Sequence, residues 1–159
     1  MRPVPSQVIS RKALPLWKIR ASIEALFVAV LPVGYYFLTR YLPLPNWGLW
    51  AIILFYITFF IFYVFVLPHI RWKRWRYEVL DEEVDIQYGV LIVRRTLIPM
   101  NRVQHVDTEH GPLMRKYKLA AVTISTAATV HQIPALTVEV AENLRDQISK
   151  LATEADTDD

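Results

Sequence analysis

The chain has 159 residues, of which 53% are hydrophobic, with a formal net charge of +3 and no cysteine. The missing thiols exclude disulfides, thiolate catalysis and cysteine-ligated zinc. The lysines and arginines crowd the edges of apolar blocks, as beside a membrane surface, so nucleic acid is excluded as a partner.

Residues 1–20 form a basic N-terminal segment carrying Arg2, Arg11, Lys12, Lys18 and Arg20. The first apolar block, Ala21–Thr39, is interrupted by Pro32 and Gly34, which a membrane helix tolerates. Glu24, near its start, is acceptable at headgroup level but costly at depth. A cleaved signal peptide would need small residues after the apolar run, and Tyr35-Tyr36-Phe37-Leu38 is the wrong chemistry. A kinked or tilted span is expected, with a re-entrant or interfacial helix as the alternative.

Arg40 to Asn46 holds Pro43 and Pro45, which stop one helix and start the next, so the two spans are antiparallel neighbours. The second block, placed at 47–69, contains the charge-free run Trp47–Leu67 of 21 residues. At ~1.5 Å per residue such a helix reaches about 31 Å, close to a hydrocarbon core of roughly 30 Å. Five basic residues precede the first span, four follow the second (Arg71, Lys73, Arg74, Arg76), and Arg40 alone lies between them. Positive charge stays on the cytoplasmic side, so both termini are expected inside and the protein in the cell membrane.

Residues 71–153 read as a separate, water-solvated domain. Arg76–Leu80, Val84–Tyr88, Val90–Ile98, Arg102–Thr108, Ala121–Thr126 and Val130–Ile133 read as short strands, several of them alternating, with Gly89 supplying a tight turn. Ala141, Leu144, Ile148 and Leu151 then share one face of a helix, with Thr137 at its N-cap and Glu139 and Glu142 near the positive end of its dipole. Five to seven strands closed by one amphipathic helix describe a small curved sheet or partly open barrel. The acidic tail 154–159 has nothing to bury and is expected to be disordered.

Three stretches carry a resemblance: Leu97-Ile98-Pro99-Met100-Asn101-Arg102-Val103-Gln104-His105-Val106-Asp107, Gly111-Pro112-Leu113-Met114-Arg115-Lys116-Tyr117 and Val122-Thr123-Ile124-Ser125-Thr126-Ala127. In this order, after a two-span hairpin, they resemble the bacterial pleckstrin-homology-like membrane proteins of the YdbS type. The resemblance implies a transmembrane hairpin followed by a mainly-β pleckstrin-homology-like barrel of seven strands with a C-terminal capping helix. It further implies a non-enzymatic membrane component that assembles with a larger multi-domain relative. Lys118 departs from the pattern, because related sequences commonly carry glycine there. A shared fold does not transfer an activity.

The chemistry-bearing residues are sparse. His105, Asp107 and Glu109 alternate on one strand, but no metal-ligand spacing occurs, and a solvated strand face is the expected reading. No catalytic constellation or phosphate loop is recognisable, and no cofactor is expected. The sharper feature is Arg71-Trp72-Lys73-Arg74-Trp75-Arg76, expected at the membrane interface against lipid headgroups. Arg94 and Arg95 on the following hairpin could share that role, and Arg115, Lys116 and Lys118 could form a further basic loop. The expected partners are the bilayer and another membrane protein, either a family relative or a second copy. Sensing of anionic lipid or envelope stress is the alternative.

Overall fold

The computed structural model describes residues 3–157. Contacts divide it into residues 17–69 and a second unit made of residues up to 16 with those from 70 onward.

The first unit is helical: α1 (Ala13–Val28), which enters it at Trp17, and α2 (Val30–Leu38) form a 26-residue helical run broken at Ala29. Pro32 lacks the N–H that Val28 O would accept. At the break itself Ala29 N–H bonds to Leu26 O, three residues back, at 3.1 Å. α3 (Asn46–Ile61) continues through a π-helical segment, Phe62–Val66, into α4 (Leu67–Arg74), 29 residues in all. Here Pro68 explains the wide turn: it cannot donate to Val64 O, and Leu67 N–H reaches back to Phe62 O. At ~1.5 Å per residue the runs measure about 39 and 44 Å, long enough to cross a bilayer with their ends projecting. The first helix starts at Ala13, eight residues before the apolar block.

No residue of α2 or α3 is buried. Leu26, Phe27, Trp47, Trp50, Leu54 and Phe55 are each about two-thirds exposed or more. Such faces need lipid or further spans around them, which a soluble core helix does not. The two runs meet at Ala21, Ala25 and Val64, flanked by Phe59, Phe60 and Tyr63. Ala21 and Ala25, one turn apart, allow the close approach. Tyr63 Oη donates to Glu24 Oε2 at 2.7 Å and Arg20 Nε to Glu24 Oε1 at 2.9 Å, so the carboxylate has a partner on each helix. The hydroxyl of Thr58 bonds back to Leu54 O, a satisfied arrangement for an apolar medium.

The second unit holds two antiparallel sheets. β1 (Gln7–Val8), β2 (Arg76–Val79), β3 (Glu83–Tyr88) and β4 (Arg94–Pro99) lie in that order in the first. A 3₁₀ turn, Met100–Arg102, leads to β5 (Val103–Glu109), α5 (Pro112–Lys116), β6 (Leu119–Thr126) and β7 (Val130–Thr137). β5, β6 and β7 form the second sheet, against which α6 (Val138–Thr157) packs. The core joins Val84, Ile86 and Ile98 with Met100, Leu119, Val122, Ile124, Ile133 and Leu136, and with Ala141, Leu144 and Ile148 of α6. The spaced apolar residues of the last helix thus face inward, apart from Leu151, which is half-buried.

Three features differ from the sequence reading. The seventh strand is β1, from the N-terminal segment, paired Gln7↔Tyr77 and Val8↔Arg76. Ser10 N–H then donates to Ala135 O on β7, so this segment touches both sheets. Val90–Val93 is not strand: β4 begins at Arg94, opposite Tyr88. Gly89, at φ +135°, folds the loop so tightly that a Cβ there would lie 2.0 Å from Ile92 O. The tail expected to be disordered is helical as far as Thr157, where a Thr153 hydroxyl bond to Ser149 O and a Lys150–Glu154 pair extend the last turns. Asp158 and Asp159 lie outside the described residues.

Two predictions arise directly. Lys118 sits at φ +54°, just past the end of α5, with its N–H on Arg115 O. This left-handed helix-terminating position is the one glycine fills without strain. Lys118→Gly will raise stability by about 1 kcal/mol, read as a higher thermal midpoint. Tyr77 is buried in β2, and burial pushes its hydroxyl above the ordinary value. Because the folded state holds this proton more tightly than the unfolded chain, the stability is complete below pH ~10 and falls as pH climbs through the raised value. Tyr77→Phe will flatten that alkaline loss in a pH series of unfolding midpoints.

Candidate functional site

The registers Val8↔Arg76, Arg76↔Gln87 and Tyr88↔Arg94 bring one end of the first sheet together. The chain passes from β1 toward the hairpin at this end and returns into β2 there. The other end carries the acidic turn Asp81-Glu82-Glu83, where Leu80 N–H meets Glu83 O. The first sheet is therefore basic at the hairpin end and acidic at the far end.

The segment Arg71–Arg76 does not act as one strip. Arg71, Lys73 and Arg74 are exposed on the last turn of α4. Trp75 is only 5% exposed and stacks on Tyr88, with centroids 5.6 Å apart. It is therefore a core residue and leaves the expected interface set. Trp72 is half-buried: its indole N–H donates to Ile9 O at 3.2 Å, and Arg11 lies over its ring. Arg76, half-buried, is part of β2. Arg74 donates to Val90 O, tying the helix end to the β3–β4 loop.

Arg95, although exposed, is engaged by a buried carboxylate. Its guanidinium grips both carboxylate oxygens of Asp85 and donates to Pro3 O at 2.7 Å. Asp85 is 2% exposed, and its hydrogen bond holds the Arg95 pKa above the ordinary value. Arg94 stays exposed at the sheet end. Arg115, Lys116 and Lys118 are exposed on α5 and its terminus, an element separate from the α4 cluster. His105, Asp107 and Glu109 are exposed on β5, where Glu109 accepts a bond from Gln132.

Two surfaces escaped the sequence reading. One is the exposed loop Val90–Val93. The other is an open cleft of about 450 Å³, lined by Ile98, Pro99 and Arg102 and by the turn Thr126–Thr129. Ile98, Pro99 and Arg102, all within the Leu97–Asp107 stretch, thus border one concavity.

Among the described residues, two uncovered apolar helical runs and seven strands with a capping helix define a membrane protein with a pleckstrin-homology-like domain. The Bacterial PH domain family matches residues 25–152. The chain is 44% identical over 158 residues to the UPF0699 transmembrane protein YdbS of Bacillus subtilis (strain 168), covering 99% of each. It belongs to this YdbS-type family of transmembrane proteins with a bacterial PH domain. A second similarity, 28% identity over 85 residues, is to the UPF0699 transmembrane protein YdbT of the same organism; it covers 51% of this chain and 17% of YdbT. No solved structure matches.

Proposed function

We propose that the protein is a non-enzymatic assembly subunit or scaffold, which presents its pleckstrin-homology-like domain on the cytoplasmic side and associates with a larger relative in the membrane. The carrying observation is the YdbT similarity: a segment of this kind occupies only 17% of that longer chain. Related domains offer related surfaces, and the outer faces of α2 and α3 leave room for further spans. Nine basic residues flanking the hairpin against one in its loop support both termini inside.

Purification from its own membrane, with crosslinking before extraction, tests the assembly. A co-eluting relative or second copy is expected, and a strictly monomeric protein with no crosslinked partner sinks the reading. Because the chain lacks cysteine, orientation is testable with single cysteines. Asn46→Cys should react with an impermeant reagent in intact cells, and Thr153→Cys only after permeabilisation.

The second reading is sensing of anionic lipid or envelope stress, favoured by exposed Arg71, Lys73, Arg74 and Arg94 at one sheet end. Each such residue near an anionic surface contributes roughly 1 kcal/mol. A domain cut at Tyr77 is the wrong reagent, because it lacks β1. Full-length protein in nanodiscs should show contacts that weaken with salt in anionic but not neutral lipid.

A further inference from the structure

The β3–β4 loop exposes apolar side chains where a water-facing turn ordinarily carries polar ones. Leu91 is 94% exposed, Ile92 74% and Val93 46%, with Val90 half-buried beside them. The loop is braced. Gly89 closes its base, Arg74 holds Val90 O, and Tyr88, just before it, is stacked on buried Trp75. The side chains are thus presented outward by a supported turn.

Position and charge identify what covers them. Strands pair at about 4.8 Å spacing, so a loop joining β3 to β4 lies close to β2, where the chain has just returned from the hairpin. Only Trp75 separates α4 from β2. Exposed Arg74 and Arg94 lie at this end, and exposed Arg71 and Lys73 share the last turn of α4 with Arg74, whereas Asp81, Glu82 and Glu83 sit at the opposite end of the same sheet. An apolar tip flanked by arginines, with the acidic turn at the far end of the sheet, matches the boundary between anionic headgroups and acyl chains.

We propose that Val90–Val93 inserts into the bilayer interface, giving the domain a second, non-covalent membrane contact beside its covalent anchor, with Arg74 and Arg94 at headgroup level. This contact is independent of the assembly reading: it needs only the bilayer, and it holds whether or not a partner is present.

The cysteine-free chain allows a direct test. Full-length Leu91→Cys and Ile92→Cys proteins, each labelled with an environment-sensitive fluorophore, are reconstituted into vesicles of mixed phosphatidylglycerol and phosphatidylcholine. Glu82→Cys at the far sheet end is the comparison. Both tip labels should emit to the blue of the Glu82 label and be quenched by lipids bearing a nitroxide near the headgroup. Emission matching the Glu82 label, without nitroxide quenching, overturns the proposal by placing the tip in water. A blue shift without nitroxide quenching also overturns it, because protein rather than lipid then covers the tip.

Discussion

Ile124→Ala will destabilise the pleckstrin-homology-like domain by about 4 kcal/mol, in the upper part of the range for truncating a fully buried isoleucine. β6 is the central strand of its sheet, and every residue from Leu119 to Ile124 is buried. Ile124 itself has no exposure, and both β5 and β7 are paired alongside it, opposite Val106 and His131. A strand held on both edges and covered by α6 cannot collapse inward to fill the cavity. Hydrogen exchange of β6 amides in the detergent-solubilised protein will read the loss as roughly a thousandfold faster exchange through global opening. An unchanged rate would place the core of this domain elsewhere.

The second large effect concerns the Asp85–Arg95 pair. Arg95→Met leaves a carboxylate that is 2% exposed without its bidentate partner, and it frees Pro3 O at the N-terminal segment. A buried charge stripped of its partner is among the most damaging single changes, whereas replacing both members with apolar residues is often neutral. Arg95→Met alone should therefore lower the thermal midpoint sharply, and Asp85→Leu with Arg95→Met should recover most of the loss. If the double variant is no better than the single, the arginine acts through Pro3 rather than through the carboxylate.

These two sites show what could be read from the chain. The hairpin was legible because lipid demands long uncharged helices and basic flanks, which local composition records. Six strands and the last helix were legible because half-buried elements carry period 2 or 3.6. β1 was not, because two paired residues are too short to show alternation. Val90-Leu91-Ile92-Val93 has strong strand propensity, but Gly89 and the Tyr88↔Arg94 register override it. Asp85 looked like a solvent-facing position between Val84 and Ile86, yet Arg95 and the N-terminal segment enclose it. Trp75 looked like an interface residue because of its basic neighbours, and its true partner, Tyr88, is set by pairing across the sheet. The misses at β1, Asp85 and Trp75 are long-range contacts overriding a local signal, whereas the helical tail is extended by contacts one turn apart.

The pairing of Gln7–Val8 with Arg76–Tyr77 has a consequence in time. During synthesis β1 leaves the ribosome before either span exists and must wait, unpaired, until both have been made and β2 follows. The hairpin is thus a long insertion between neighbouring strands, so the first sheet cannot be completed until all of it has been synthesised. A nick in the turn at Pro43–Asn46 would leave two fragments held by that pairing and by the Trp72–Ile9 bond. Completion of the first sheet is in this sense a record that the insertion between β1 and β2 has already been delivered.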